Sequence, residues 1–483
     1  MMKQMKLATP LALAMALAGC SLAPDYLRPA APVAAAFPEV PQAASKSASP
    51  LLAQAPAAVP WQQFFADARL RTLIDQALTN NRDLRIAIAN IEQARAQYRI
   101  TRADRLPTVG LGVSGQRQTV GEDQPISSTY SAGLQVSAFE LDLFGRVRNL
   151  SEAALAQFLA TEEARKTTQI SLIASVANGW LQLLADEELL RITQETLKTR
   201  EESERLTQLR FDNGVASRLE LQLSRSLVET ARATLAQQQR FRAQDINLLT
   251  LLVGQPLAQD QSQGATLAKT ELPDIPAGLP SDLLANRPDI RGAEQQLIAA
   301  NANIGAARAN FFPRITLTGS AGSVSDQLSG LFESGTWGWS FAPQAILPIF
   351  DYGRNSATLA SARAQNDIAV ARYEQSIQTA FREVADALAG QATYSEQLRA
   401  QQAVTEAEAD RFNLSDLRYR SGAASQLDLL DAQRSLFESQ QAAVNANLLR
   451  LQNQVTLYRV LGGGWTEPAA AGAGAAATPV AVR

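Results

Sequence analysis

The chain contains no histidine and a single cysteine. Those absences remove histidine-dependent triads, the usual zinc sites and internal disulfides. Aromatic residues make up only 6% of the sequence, against an abundance of alanine and glutamine, so a thick core is not the natural packing. Small apolar residues among long polar ones suit closely packed helices instead. With a net charge of −3, no global basic field points to nucleic acid as a partner. No nucleotide-binding loop of the Walker form is present. Ser-Lys or carboxylate-only chemistry is permitted by composition, but no motif signals it. Neither an enzymatic activity nor a cofactor or metal is therefore expected.

What is present is a repeat. Leu209-Arg-Phe-Asp-Asn-Gly-Val-Ala-Ser-Arg-Leu-Glu-Leu221 returns as Leu417-Arg-Tyr-Arg-Ser-Gly-Ala-Ala-Ser-Gln-Leu-Asp-Leu429. Gly214 and Gly422 are 208 residues apart, and the same offset links Gly145-Arg146 to Gly353-Arg354. Asp83-Leu-Arg85 and Pro107 recur at Asp289-Ile-Arg291 and Pro313. One long supersecondary unit is written twice, and that decides architecture before any single motif does. The two copies span 61–254 and 281–465, joined by a Pro-rich crossover at 255–280.

The N-terminus reads as an address. Lys3 and Lys6 precede the apolar run Leu7–Ala18, too short to span a bilayer and shaped like the centre of a signal peptide, 1–19. It ends Leu17-Ala18-Gly19-Cys20, which resembles the bacterial lipobox. That resemblance implies that Cys20 becomes an acylated first residue, and Ser21 after it implies the outer membrane as destination. Residues 20–60 are rich in alanine and proline and read as an extended tether. Residues 466–483 are an Ala/Gly tail expected to be disordered.

Each repeat carries a short helix, a longer one closed by Pro107 or Pro313, two strands, a very long helix, a Gly-containing turn and a final helix. The hairpins are expected at 107–141 and 313–347, the long helices at 146–213 and 354–421, and the final helices at 216–253 and 425–461. The long stretches hold no proline. At about 1.5 Å per residue each reaches roughly 100 Å, a length that needs coiled-coil-like support. Leu430, Phe437, Val444, Leu451 and Tyr458 recur every seven residues, the period of left-handed supercoiling.

The strands point to a membrane. Tyr130, Ala132, Leu134, Val136 and Ala138 alternate with Ser131, Gly133, Gln135 and Ser137, and Val109, Leu111 and Val113 alternate with small residues. The second hairpin places Trp337, Trp339 and Phe341 on one face, suited to anchoring at the lipid interface. A soluble amphipathic hairpin gives the same alternation. Four strands cannot close a barrel, and open edges cannot face lipid. Several identical chains must therefore share one barrel: two would give eight strands and an interior filled by side chains, three give twelve and room for a lumen.

The lipobox, the two repeats, Phe139-Glu-Leu-Asp-Leu-Phe-Gly-Arg146 and Leu429-Leu-Asp-Ala-Gln-Arg-Ser-Leu436 together resemble the outer-membrane efflux proteins of the TolC type, in their NodT-like lipoprotein branch. The resemblance covers 60–465. It implies a mainly α chain with a membrane β-barrel: a homotrimer whose twelve-stranded barrel continues as a periplasmic α-barrel. It also implies a passive exit tunnel working with a periplasmic adaptor and an inner-membrane transporter, of the proton-driven RND type. The other reading of the residues is a lipid-anchored coiled-coil scaffold or adhesin without a pore.

In that family the periplasmic mouth closes just after the Gly-containing turns. The matching positions are Leu427, Asp428, Asp431 and Arg434, each a ring under three-fold symmetry. Carboxylates ringed near an axis resist full ionisation and attract cations, and leucines narrow the bore. Ser425-x-x-Asp428 also reads as a capping box, as does Ser217-x-x-Glu220. Glu220 and Leu223 stand at the corresponding sites of the first repeat. The turns at Gly214 and Gly422 would meet the adaptor, and both glycines permit left-handed backbone between helices. Some relatives lock the mouth with a tyrosine and an arginine; Tyr419 is present, but Ala424 stands where that arginine would be.

Overall fold

The computed structural model describes residues 21–34, 36–37, 59–119, 126–257, 265–273, 275 and 280–465. The signal segment, Cys20, residues 38–58 of the tether, residues 258–264, 274 and 276–279 of the crossover and the tail beyond 465 lie outside them. In chain order the elements are α1 Trp61–Phe64, α2 Ala68–Asn80, α3 Arg82–Ala103, β1 Val109–Gln118, β2 Ser127–Leu141, α4 Arg146–Asp212 and α5 Arg218–Val253. The second set is α6 Pro280–Asn286, α7 Pro288–Ala309, β3 Arg314–Ser325, β4 Trp337–Ile346, α8 Arg354–Arg420 and α9 Gln426–Val460. The proline-free stretches are each one unbroken helix of 67 residues. β1 continues five residues past Val113, where serine, glycine and glutamine carry no apolar alternation to announce it.

Two compact units result. One comprises residues 21–32, 88–164 and 289–376. Its sheet runs in the order β1-β2-β3-β4 and every pairing is antiparallel. The two hairpins are thus joined through β2 and β3. A bulge between Val136 and Phe139 interrupts that junction, with Ala138 at φ +50° donating its backbone N–H to the Thr318 hydroxyl (3.2 Å). Bulges of this kind bend a strand and sharpen its twist, which curved sheets require. Below the sheet, alanines 153, 156, 299 and 302 bring α4 and α7 into close contact. Phe144 stacks on Phe312 where the helices meet the strands, with ring centroids 4.7 Å apart.

An N-terminal strap belongs to this unit. Arg308 donates to the Leu22 carbonyl (3.0 Å), Asn301 to the Pro24 carbonyl (2.8 Å), and Glu294 accepts two bonds from Arg28 (2.7 Å each) and one from Tyr26. Glu294, Asn301 and Arg308 are seven residues apart, so they form one stripe along α7, and the strap runs against the helix direction. The segment is extended, but it is clamped and not a free leash. Charge-assisted bidentate pairs such as Arg28–Glu294 are the stronger kind of hydrogen bond. Burial and the Glu294 carboxylate push the Tyr26 phenol up to about 12.

The other unit comprises 33–87, 165–288 and 377–465. Its apolar centre gathers Phe64, Phe65, Leu73, Ile74, Trp180, Leu249 and Tyr458, all essentially buried. Phe64 stacks on Tyr458 at 4.1 Å, and the Tyr458 hydroxyl donates to the Val59 carbonyl (2.6 Å). Asp67 caps α2 and accepts from the Trp180 indole (3.1 Å). Tyr458 ends the seven-residue apolar line, so the heptad pattern of α9 and this centre are one structure. Asp186 is buried on α4 and Asp245 faces it from α5; burial, then the bond to Asp186, push the Asp245 carboxyl up to about 8.

Candidate functional site

Residues directly opposite in an antiparallel ladder share a face. Three cross-strand rows follow from the register: Val109, Val136, Gly319, Phe341; Leu111, Leu134, Ala321, Trp339; and Val113, Ala132, Ser323, Trp337. Leu111, Trp337 and Trp339 are each at least 74% exposed. The opposite face pairs Gln135 with Ser320 and Ser340, and Ser114 with Ser131. One face is therefore apolar and uncovered, the other polar. Glycines 112, 133, 322 and 338 form a further row on the polar face. At Gly133 and Gly322 an added Cβ would run into the opposing backbone.

Strands of 10 to 15 residues match what a tilted membrane strand needs. No helix among the described residues is long and apolar enough to cross a membrane. β1 and β4 each pair on one side only, so the sheet has two open edges and an apolar face. Such a sheet is stable in lipid only when its edges are closed by further strands.

The second arrangement lies at the two helix turns. Gly214 and Gly422 adopt φ +71° and +77°, and the chain reverses through Val215 N–H to the Arg210 carbonyl and Ala423 N–H to the Arg418 carbonyl (2.8 Å each). Only glycine takes this backbone at no steric cost. Complete capping boxes follow. Ser217 and Glu220 exchange backbone and side-chain bonds at the start of α5, and Ser425 and Asp428 do so at the start of α9. The bond from the Ser217 backbone holds the Glu220 carboxyl below its usual range. A box of this kind stabilises a helix start by about 1 kcal/mol.

Beyond the box, Asp431 accepts from Arg434 (2.6 Å) on its own helix and from Arg411 on α8. Arg411 also pairs with Glu408 (3.1 Å) and Arg434 with Glu438 (4.0 Å), which extends the charge network along both helices. Leu427 projects to solvent at 63% exposure, and its repeat partner Leu219 does the same at 69%. Sequence reasoning placed Asp431 with Arg434 and missed Arg411, whose only signal was an ordinary Glu-x-x-Arg spacing. It also missed Arg210, which donates to the Tyr419 hydroxyl and lies over its ring, 5.3 Å from the centroid. Tyr419 thus has an arginine, supplied by the first repeat. Polar layers bind α9 to α4 nearby, where Gln426 donates to Thr207 (2.6 Å) and Gln433 to Ser203.

A sheet that is apolar outside, polar inside and unfinished at both edges, on helices of 67 residues, defines the TolC-like class of outer-membrane channel folds. A family model described as outer membrane efflux protein matches residues 73–255 and again 279–463, one match to each repeat. The chain belongs to that family. It is 50% identical over 457 residues to the toluene efflux pump outer membrane protein TtgC of Pseudomonas putida, covering 93% of this chain and 94% of that one. To outer membrane protein OprJ of Pseudomonas aeruginosa it is 44% identical, over 95% of each. The open-state crystal structure of the Neisseria gonorrhoeae MtrE outer membrane channel superposes with a TM-score of 0.84 at 40% identity, covering 92% of this chain and 99% of that one.

Proposed function

We propose that three copies of this chain close one twelve-stranded barrel and form a passive exit tunnel of an efflux system, gated at its periplasmic end. The observation that carries this reading is the sheet: an exposed apolar face between two unpaired edges, which identical neighbours complete by pairing β4 of one copy with β1 of the next. Trp337, Trp339 and Phe341 seat in the lipid interface. Cys20, acylated, adds an anchor beside the barrel.

The mouth lies where the helix turns converge. Leu427 narrows it, and Asp431, held by Arg411 and Arg434, supplies a ring of paired charge. Asp428 caps α9, and under three-fold symmetry its carboxylate also forms a ring at the mouth. The Gly214 and Gly422 turns present the tip to a periplasmic adaptor, and an inner-membrane transporter of the proton-driven RND type supplies the energy. The relative named for toluene efflux supports small organic molecules as the cargo class.

The test is reconstitution. Purified protein is expected to run as an SDS-resistant trimer and to conduct ions in a planar bilayer. A stable monomer that conducts nothing would instead support a lipid-anchored scaffold.

A further inference from the structure

The junction between the two hairpins is made once in each chain, where β2 meets β3. There β2 outruns β1: its last residues, Phe139 to Leu141, pair with β3 alone. Phe139 lies opposite Leu317, Leu141 opposite Ile315, and just beyond them Phe144 stacks on Phe312. Glu140 fastens the same place by accepting from Arg146 (2.6 Å) and Arg314 (2.7 Å).

The repeat carries both halves of this junction to the open edges of the sheet. The offset of 208 that links Gly145 to Gly353 takes Phe139, Leu141 and Phe144 to Leu347, Ile349 and Tyr352. The offset of 206 that links Pro313 to Pro107 takes Leu317, Ile315 and Phe312 to Leu111, Val109 and Leu106. All six are large hydrophobic side chains exposed in the single chain, Ile349 at 93% and Tyr352 at 92%. β3 begins at Arg314, opposite Ile346, so Leu347 to Ile349 outrun it as Phe139 to Leu141 outrun β1. Among the described residues no strand of the same chain pairs with them.

We propose that β4 of one copy meets β1 of the next in the register of the β2–β3 junction: Leu347 opposite Leu111, Ile349 opposite Val109, and Tyr352 against Leu106. The assignment rests on the shared barrel proposed above. Leu347 and Ile349 continue the alternation of Trp337, Trp339 and Phe341, so this register sets them on the apolar face with Val109 and Leu111. A slip of one residue would turn them to the polar face. One element is not copied. Glu140 and Arg314 become Pro348 and Thr108, so the seam between copies has no counterpart of that ion pair and is closed by apolar contact and the strand ladder.

The experiment is cysteine cross-linking of the full-length protein in detergent. Within one chain β1 and β4 are three strand spacings apart, about 14 Å, so a disulfide between them joins two copies. Leu347→Cys with Leu111→Cys, and Ile349→Cys with Val109→Cys, are the matched pairs. Leu347→Cys with Val109→Cys, and Ile349→Cys with Leu111→Cys, use the same four positions two residues out of step. Directly opposite residues lie within disulfide reach, whereas these diagonal ones are about 7–8 Å apart. Cys20 is common to all four variants and cancels from the comparison. After mild oxidation, boiled non-reducing gels are expected to show covalent trimers for both matched pairs, and at least tenfold less linking for the mismatched ones. Each position serves in one matched and one mismatched pair, so loss of linking through misfolding would strike both alike. Unboiled gels report the trimer itself. A trimer whose mismatched pairs link as well as the matched ones, or in which no pair links, would overturn the register and leave the tunnel reading standing. Wild-type protein that runs unboiled as a monomer would sink the tunnel reading, and the register with it.

Discussion

Arg210 and Tyr419 lie near the ends of the two longest helices and touch each other: the guanidinium sits over the ring and donates to the hydroxyl. They come from different repeats, 209 residues apart, and each stands within four residues of its glycine turn. Their contact ties α4 to α8 at the tip. An exposed cation–π pair of this type contributes about 0.5–1 kcal/mol. Arg210→Ala with Tyr419→Phe is expected to loosen the tip and raise single-channel conductance several-fold. Conductance equal to wild type would show that the pair only decorates the surface.

Asp431→Ala combined with Arg434→Ala removes the charge pair beyond the second turn while leaving the capping box intact. We expect higher conductance through the closed tunnel, with unchanged helicity by circular dichroism. An unaltered current in the double variant takes the pair out of the gate.

For Asp428 the informative change is to asparagine, which still accepts the bonds of the box but carries no charge. The melting temperature should hold while the preference for cations over anions falls. If selectivity is unmoved, capping is the whole role of this residue.

How much of this was legible in the chain depends on the range of the signal. The repeats showed in Gly214 and Gly422, and the long helices in the absence of proline, because both are local. The apolar rows of the sheet were half visible: alternation gave the faces, but the junction of β2 with β3 pairs residues nearly two hundred positions apart, which periodicity cannot see. The same holds for Arg210 with Tyr419. Arg411 looked like one more helix-surface charge until its neighbour on α9 was in place. The strap was hidden by composition: proline and alanine read as a leash, while its hold comes from Tyr26 and Arg28 finding Glu294.

The apolar face gives a sharp substitution. Leu111→Arg places a charge in the row with Leu134 and Trp339. On a lipid-facing strand this costs about 2–4 kcal/mol near mid-membrane. Loss of the SDS-resistant oligomer is expected on gels, whereas Gln135→Arg, on the polar face, should be tolerated.

Asp245, half-buried beside Asp186, makes stability fall with pH. A carboxyl raised to about 8 in the folded protein binds its proton more tightly there than in the unfolded chain, where the usual value is about 4. The folded state is therefore favoured at the acid end, and that advantage is lost as pH climbs from about 4 toward 8. Asp245→Asn should flatten this decline, raising the melting temperature at pH 8 more than at pH 5. Parallel melting curves for both proteins would dismiss the pair.

The strap has a mechanical consequence for anything attached to Cys20. Its first clamp, Ser21 to Asn149 at 2.9 Å, comes one residue after that cysteine, and the next, Leu22 to Arg308, lies in the last turn of α7, shortly before β3 begins. A lipid on Cys20 would have almost no slack. It would fix the depth at which the helix-to-strand junction rides in the bilayer, as a depth stop on a drill fixes how far the bit can travel.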